Sequence, residues 1–450
     1  MKRPSIKPLW LLGAALAGLS VGTAVIALNT NATGSVVSAL LLPALQAQLE
    51  KLTPAQASEP ENVISLEPDA PIELPADVET YFGVVAGGGA PGYNEIALEK
   101  NVLYFVRSLS HLNFNPAKSN LFFANGNSGE ATVRYIDEDG FEQFKAPEIP
   151  NLDGAATYGN TASWFQAVAQ AEKDCSSFFY FTGHGAHNLD NEDDNWLILW
   201  EEAFVSVKKM AGWLDALPAG EDKPFVTMMA QCYSGSFANL IYEGGDPEQP
   251  VALQTRCGFF ATVASRPSVG CTPAVNEADY KDYSSSFFAG LTGRDRTGNP
   301  VTSADYNQDG QISYAEAHAF AKVDEETTDW PISTVEAWLQ RPLSDESKQD
   351  FLSQPMVDWS AIARPEQQHV IQSLAAKLNF DPSRSYIDNQ LSSLMPEPNT
   401  VEEAYRKRLE MELLNVAAEA QLRQMSQQSG DATQIATLEK LLRCEAGSWK

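Results

Sequence analysis

A single thiol, Cys232, stands directly after an apolar run, Phe225 to Ala230, in the stretch FVTMMAQCYSGSFA. Forty-eight residues earlier, His184 follows a second run of the same kind, Phe178 to Thr182, inside Gly183-His184-Gly185. A thiolate attacks acyl carbon well, but a free cysteine is mostly protonated at neutral pH, so a neighbouring base or dipole must lower its pKa. Histidine is suited to that task because its ordinary pKa lies near neutrality. A helix expected just after Cys232 would add the positive end of its dipole. Gly185 has no side chain, so its N–H can approach a substrate carbonyl and, with the N–H of Cys232, form an oxyanion hole. Taken singly, a cysteine at a strand end is more often a small buried hydrophobe, and a histidine among glycines is often structural. The coincidence of both at comparable strand ends is what points to chemistry. Neither Ser234 nor Ser236 sits in a G-x-S-x-G elbow, which makes a serine hydrolase a poor reading.

A second constellation runs from Asp305 to Glu316, DYNQDGQISYAE. It fits D-x-[DN]-x-[DN]-G-x₅-E at every specified position. Asp305, Asn307, Asp309, Gln311 (by its carbonyl), Ser313 (often through water) and Glu316 are then the ligands of a Ca²⁺ ion. Gly310 makes the sharp bend, Ile312 packs inward, and Tyr314 to Val323 is the exiting helix. No partner hand is evident, so a structural clamp is the expected role. The acidic run from Asp190 to Asp194 lacks a glycine at the sixth position and reads as a solvated loop.

The elements that must position these residues alternate. A strand over Tyr81 to Ala86 precedes Gly87-Gly88-Gly89 and a helix from Glu95 to Leu109; a strand over Asn120 to Ala124 and a hairpin within Thr132 to Phe144 come next. A helix from Thr161 to Lys173 leads into the His-bearing strand. Trp196 to Trp200, a helix from Val205 to Leu217, the Cys-bearing strand, a strand from Gly258 to Ala264 and a helix from Ser284 to Thr292 complete the series. The two central runs are apolar without alternation, as in parallel strands covered on both faces. The class is therefore α/β, with ligands expected beyond the carboxyl ends of the strands. Residues 326–398 are mixed, and Val401 to Arg443, broken at Ser429-Gly430-Asp431, reads as a helical hairpin that serves packing or oligomerisation.

Strand-His-Gly followed by a strand and Cys-x-Ser-Gly-Ser resembles the caspase-like cysteine peptidases and, within them, the legumain family, with Gln231 directly before Cys232 and Ala261-Thr262-Val263-Ala264 and Asp282-Tyr283-Ser284 as further matches. The similarity covers roughly Tyr81 to Leu291. It implies a caspase-like αβα sandwich with a mainly parallel central sheet plus a C-terminal helical region, His184 and Cys232 as the dyad, and no cofactor in the chemistry. The family's pocket implies substrate-binding roles for Asp282 and Ser268, but the family's pocket arginine is missing, since the first loop reads Tyr93-Asn94-Glu95. Glu95 with Asp282 would instead make an acidic pocket favouring Lys or Arg, the alternative being that Glu95 caps its helix.

With 450 residues, 44% hydrophobic and 20% charged, the chain has the composition of a globular protein. A net charge of -28 argues against nucleic acid and anionic lipid as partners. Lys2, Arg3 and Lys7 precede an apolar stretch from Leu9 to Leu28, so residues 1–28 read as an export signal or an uncleaved membrane anchor. Either puts the bulk of the chain in the periplasm, outside the cell or at the membrane. Residues 29–78 read as a linker or pro-segment with a weak glycosylation acceptor at Asn31, and 79–325 as the peptidase domain including the calcium loop; 326–398 and 399–450 come after it. Five cysteines leave at least one free thiol; Cys257 with Cys271 is the disulfide to test first, against free buried thiols. The expected function is an exported cysteine endopeptidase acting on peptide or protein substrates. A transamidase or ligase using the same dyad, and a non-catalytic calcium-stabilised scaffold, are the alternatives.

Overall fold

The computed structural model describes residues 71–171, 175–219 and 223–449. The expected signal or anchor, most of the linker and Asn31 lie outside the described residues. The described residues form one compact unit.

Its centre is a sheet of five parallel strands. These are β1 (Thr80–Gly87), β2 (Ser119–Phe123), β5 (Ser176–Ala186), β8 (Phe225–Ala230) and β9 (Arg256–Phe260), in the order β9-β8-β5-β1-β2. A two-residue strand, β10 (Ile332–Ser333), adds antiparallel to β9. A separate hairpin pairs β3 (Val133–Ile136) with β4 (Glu142–Lys145), as expected. The lack of alternation in β5 has a direct cause. Phe178 and Tyr180 face a core shared with α1 (Ile96–His111), α4 (Tyr283–Thr292) and α5 (Tyr314–Asp324). Phe179 and Phe181 face a second core with α2 (Tyr158–Ala169) and α3 (Val207–Leu214). Both faces are thus covered, and polar positions on either would be desolvated without partners.

Strand β5 runs on past the carboxyl edge of its neighbours. Its last residues pair antiparallel with β6 (Trp196–Leu199), which pairs with β7 (Ala203–Ser206), so the His-bearing end is part of a strand and not of a loop.

Five helices come after β10: α6 (Thr334–Gln340), α7 (Asp345–Leu352), α8 (Met356–Ile362), α9 (Pro365–Lys377) and α10 (Tyr386–Ser392). The expected C-terminal hairpin is α11 (Val401–Ser429) and α12 (Thr433–Glu445), with Gly430 closing α11 in the left-handed region. It packs against the rest of the unit. Arg408, 1% exposed, donates to the carbonyls of Lys322, Glu325, Thr327 and Asp329, and Trp449 packs among Phe82, Phe105 and Phe178 in the sheet core. A disulfide fastens it there, and this corrects the Cys257–Cys271 expectation: Cys257 bonds Cys444 with a Cα–Cα distance of 6.0 Å. The register explains why, since Cys257 pairs with Val226 near the amino ends of β9 and β8 while Cys271 lies in a loop beside the carboxyl edge. No helix among the described residues is long and apolar enough to cross a membrane.

Candidate active site

Strand register brings the two sequence-selected residues to one level. Thr182 of β5 is paired with Ala230 of β8, so His184 and Cys232 each lie two residues beyond a matched pair. Gly185 packs directly on the Cys232 backbone: a Cβ there would sit 2.1 Å from the Cys232 carbonyl oxygen and 2.8 Å from the Gln231 side chain. Any other residue would push the two strand ends apart. Gln231 is buried, and neither its amide nitrogen nor its oxygen has a hydrogen-bond partner.

The segment after Cys232 differs from expectation. Tyr233 has φ of 60°, in the left-handed region that non-glycine residues seldom adopt, and the next turn is a 3-10 helix, Ser234–Ile241. The α-helix dipole expected at the sulfur is therefore not there. Tyr233 is held by its N–H donating to the Arg266 carbonyl at 2.8 Å and by stacking on His187 at 4.7 Å. Burial pushes the Cys232 thiol up, against the backbone N–H of Ser268, which donates to Sγ at 3.3 Å; Cys271 and Asp329 push it further up. It is the Ser268 backbone that stands at the sulfur, whereas the expected substrate-binding role belongs to its side chain. Its hydroxyl donates to Asp329 Oδ2 at 2.6 Å.

His184 is half-buried and its Nε2 lies 3.0 Å from Glu95 Oε2. Burial pulls the imidazole down, but contact with the Cys271 sulfur and the Glu95 carboxylate outweighs it and raises the pKa to about 10. No hydrogen bond joins His184 to Cys232 among the described residues. Tyr93 meets the ring edge-on at 5.3 Å and donates to Glu202 at 3.0 Å.

Glu95 and Asp282 do not form the acidic pocket expected of them. Glu95, 4% exposed, is ion-paired with Arg134 at 2.7 Å and turned towards His184; it sits at the N-terminus of α1 but makes no capping hydrogen bond. Burial works against its ionisation, but His184 and then Arg134 hold it below the usual carboxylate range. Asp282, 3% exposed, caps α4 through the Ser285 N–H, while its Oδ2 faces Arg296 at 3.9 Å and has no hydrogen bond. Both carboxylates are turned to protein cations, so neither presents a free charge to a substrate.

Sequence reasoning missed Glu95 as the partner of His184, and it put Cys271 first as a partner for Cys257 with a free thiol as the alternative. The odd cysteine count was the available signal for Cys271. For Glu95 there was none, because its role depends on α1 starting beside the end of β5.

In the loop expected to bind calcium, Asp305 accepts the N–H groups of Asp309 and Gly310, Asn307 that of Asp309, and Asp309 that of Gln311. Gly310 has φ of 87° with open space at its Cβ position. Glu316 accepts the N–H groups of Tyr306, Asn307 and Ser313 and closes a capping box at the start of α5. No protein cation pairs with Asp305, Asp309 or Glu316 among the described residues, and Ile312 packs inward as expected. An irregular segment, not a helix, enters the loop. The acidic run at 190–194 is satisfied internally: Asp193 takes both Arg341 Nη atoms at 3.0 Å, and Asp194 accepts the Lys208 N–H. A cleft of about 520 Å³ lies next to the crevice, lined by Gly235, Ser236, Ala264, Trp338 and Arg341 among others, but not by His184 or Cys232.

No protein-family model matches the chain, and no curated protein matches it.

Proposed function

We propose that the chain is an exported cysteine endopeptidase of caspase-like, legumain-like architecture, with Cys232 as nucleophile and His184 as its acid–base partner. The observation that carries the reading is the Thr182–Ala230 register, which sets the two side chains at one level beyond the carboxyl edge of a parallel sheet. Glu95 is the group that orients and charges the imidazole, the role a third residue plays in such sites.

Attack needs the Cys232 thiolate beside a protonated His184. The Ser268 N–H, directed at the sulfur, stabilises the thiolate. The thiolate adds to the scissile carbonyl, and the Gly185 and Cys232 backbones supply the oxyanion donors. Collapse breaks the C–N bond as His184 gives its proton to the leaving amine. Water, deprotonated by His184, then releases the acid from the thioester; an amine acceptor in place of water makes the same site a transamidase. The adjoining cleft offers room for substrate residues. Ca²⁺ would be held by Asp305, Asn307, Asp309, the Gln311 carbonyl, Ser313 and Glu316, and would supply a clamp between the loop and α5.

A second reading, a non-catalytic calcium-stabilised binding protein, draws on the same crevice, because His184 engages Cys271 and Cys232 engages Ser268. A thiol-directed acyl probe separates the two. Labelling and peptide hydrolysis by the wild type, both abolished by Cys232→Ala, are expected; a wild type that neither labels nor hydrolyses any member of a mixed peptide library overturns the peptidase. For the loop, calorimetric Ca²⁺ titration is expected to show one site that Asp305→Ala and Glu316→Gln each weaken at least tenfold. Equal binding in all three proteins would place the ion elsewhere.

A further inference from the structure

Among the described residues, one group of three metal-ligating side chains converges: single ligand atoms of Glu95, His184 and Cys271 all lie within 4.8 Å of one another. We propose that these three side chains form a binding site for a thiophilic divalent cation of the Zn²⁺ class, which competes with the proton-transfer role of His184.

The donor set is one carboxylate oxygen, one imidazole nitrogen and one sulfur. That mixture suits Zn²⁺ and its borderline-soft neighbours and is wrong for Ca²⁺ or Mg²⁺, which take oxygen alone. Zn–O and Zn–N distances near 2.0–2.2 Å and a Zn–S distance near 2.3 Å put tetrahedral ligand atoms roughly 3.3–3.8 Å apart. The Glu95 Oε2 to His184 Nε2 separation is 3.0 Å, so these two need only a small outward adjustment. The sulfur can supply the rest of the adjustment, since Cys271 is exposed and sits in an irregular segment between β9 and α4.

The outer support is in place as well. Arg134 holds Glu95 Oε1 at 2.7 Å, which leaves Oε2 pointed at the imidazole, and the burial of Glu95 fixes its direction. Three protein ligands with one of them exposed leave a fourth position open, the pattern of accessible zinc sites and not of closed structural ones. Cys232 lies close enough to Cys271 for their charges to interact, so an ion held here sits near the candidate nucleophile. Binding itself does not depend on the peptidase reading. Its consequence does: a metal bound to the imidazole in place of the Glu95 hydrogen bond keeps the ring from taking up and giving the proton the leaving amine needs, so occupancy and turnover exclude one another.

The test uses the full chain, stripped with a chelator and shown to hold three free thiols on denaturation, and adds Co²⁺ as a spectroscopic probe and Zn²⁺ in competition. A sulfur-to-Co²⁺ charge-transfer band in the near ultraviolet, displaced by Zn²⁺, is the expected result. It should vanish in Cys271→Ser and in His184→Ala, need at least tenfold more Co²⁺ in Glu95→Gln, and persist in Cys232→Ser. Absence of the band in the wild type, or its survival in Cys271→Ser, overturns the proposal, as does its loss in Cys232→Ser alone. In a parallel assay, Zn²⁺ should slow peptide hydrolysis by the wild type and leave the rate of Cys271→Ser at its own metal-free value. A protein that shows the band but hydrolyses nothing keeps the metal site and loses the peptidase.

Discussion

Two histidines in this molecule are hydrogen-bonded through Nε2 to a glutamate, at 3.0 Å for His184 with Glu95 and 3.1 Å for His318 with Glu336. They nonetheless titrate in opposite directions. His318 is 3% exposed on α5, and burial, seconded by the adjacent Lys322, drives it below its ordinary value despite Glu336. Lys322 is itself bonded to both Glu336 and Glu412, so the Glu336 charge is shared among several partners; burial raises Glu336, but Lys322 and then His318 draw it far below the carboxylate range. His184 keeps one side open and adds a sulfur to its carboxylate, with no lysine among its partners in the described residues. The lesson is that a His–Glu pair is not a site by itself. Access and the third neighbour decide whether it moves protons or holds helices together.

That contrast is broken most directly by removing each ring in turn. His184→Ala is expected to lower kcat/KM by about 10³-fold or more, with a smaller loss of stability because Glu95 keeps its ion pair with Arg134. His318→Ala should do the reverse, costing about 2–4 kcal/mol by opening a cavity and leaving the Tyr283 hydroxyl unpaired while Glu336 keeps Lys322 and the Ser333 N–H, with turnover per folded molecule retained. If both changes act on stability alone, the functional distinction fails. An effect of comparable size is expected at the disulfide, which ties β9 to α12 over a separation of 187 residues. The Cys257→Ala/Cys444→Ala double variant should lose about 3–5 kcal/mol in a denaturant titration, again with activity per folded molecule intact.

The smallest effect is a pH dependence on the structural side. Glu445, buried beside that disulfide, accepts from the Val335 N–H and the Ser333 hydroxyl, but burial outweighs both and pushes its carboxyl up to about 8. The folded chain therefore keeps this proton between the ordinary value of 4.5 and about 8. Its contribution is fully present below about 4.5 and is lost as pH rises through 8. Between pH 5 and pH 9, Tm should fall by on the order of 5 °C from this group, and Glu445→Gln should flatten that slope. A slope unchanged in the variant would assign the dependence to other groups.

Much of the frame was legible in residue order. The unbroken apolar runs of β5 and β8 announced strands covered on both faces, the Gly430 break announced the turn between α11 and α12, and the loop ligands with Gly310 announced their own geometry, because each is a matter of neighbours within a dozen residues. The crevice was half legible. Cys232 and His184 could be singled out because each terminates a run, whereas the antiparallel extension of β5 and the left-handed Tyr233 could not, since neither is dictated by local composition.

Residue type and spacing determined that this chain carries a thiol and an imidazole at the ends of buried strands and an acidic, glycine-bent loop. Tertiary structure alone decided the partners: Cys257 with Cys444 in place of Cys271, Glu95 with Arg134 and His184 in place of a substrate pocket, and Cys271 beside the imidazole. The physical reason is distance along the chain. Local patterns set which face of an element is apolar, but pairings separated by 89 residues, as for Glu95 and His184, are fixed only when sheet register and helix packing bring the elements together.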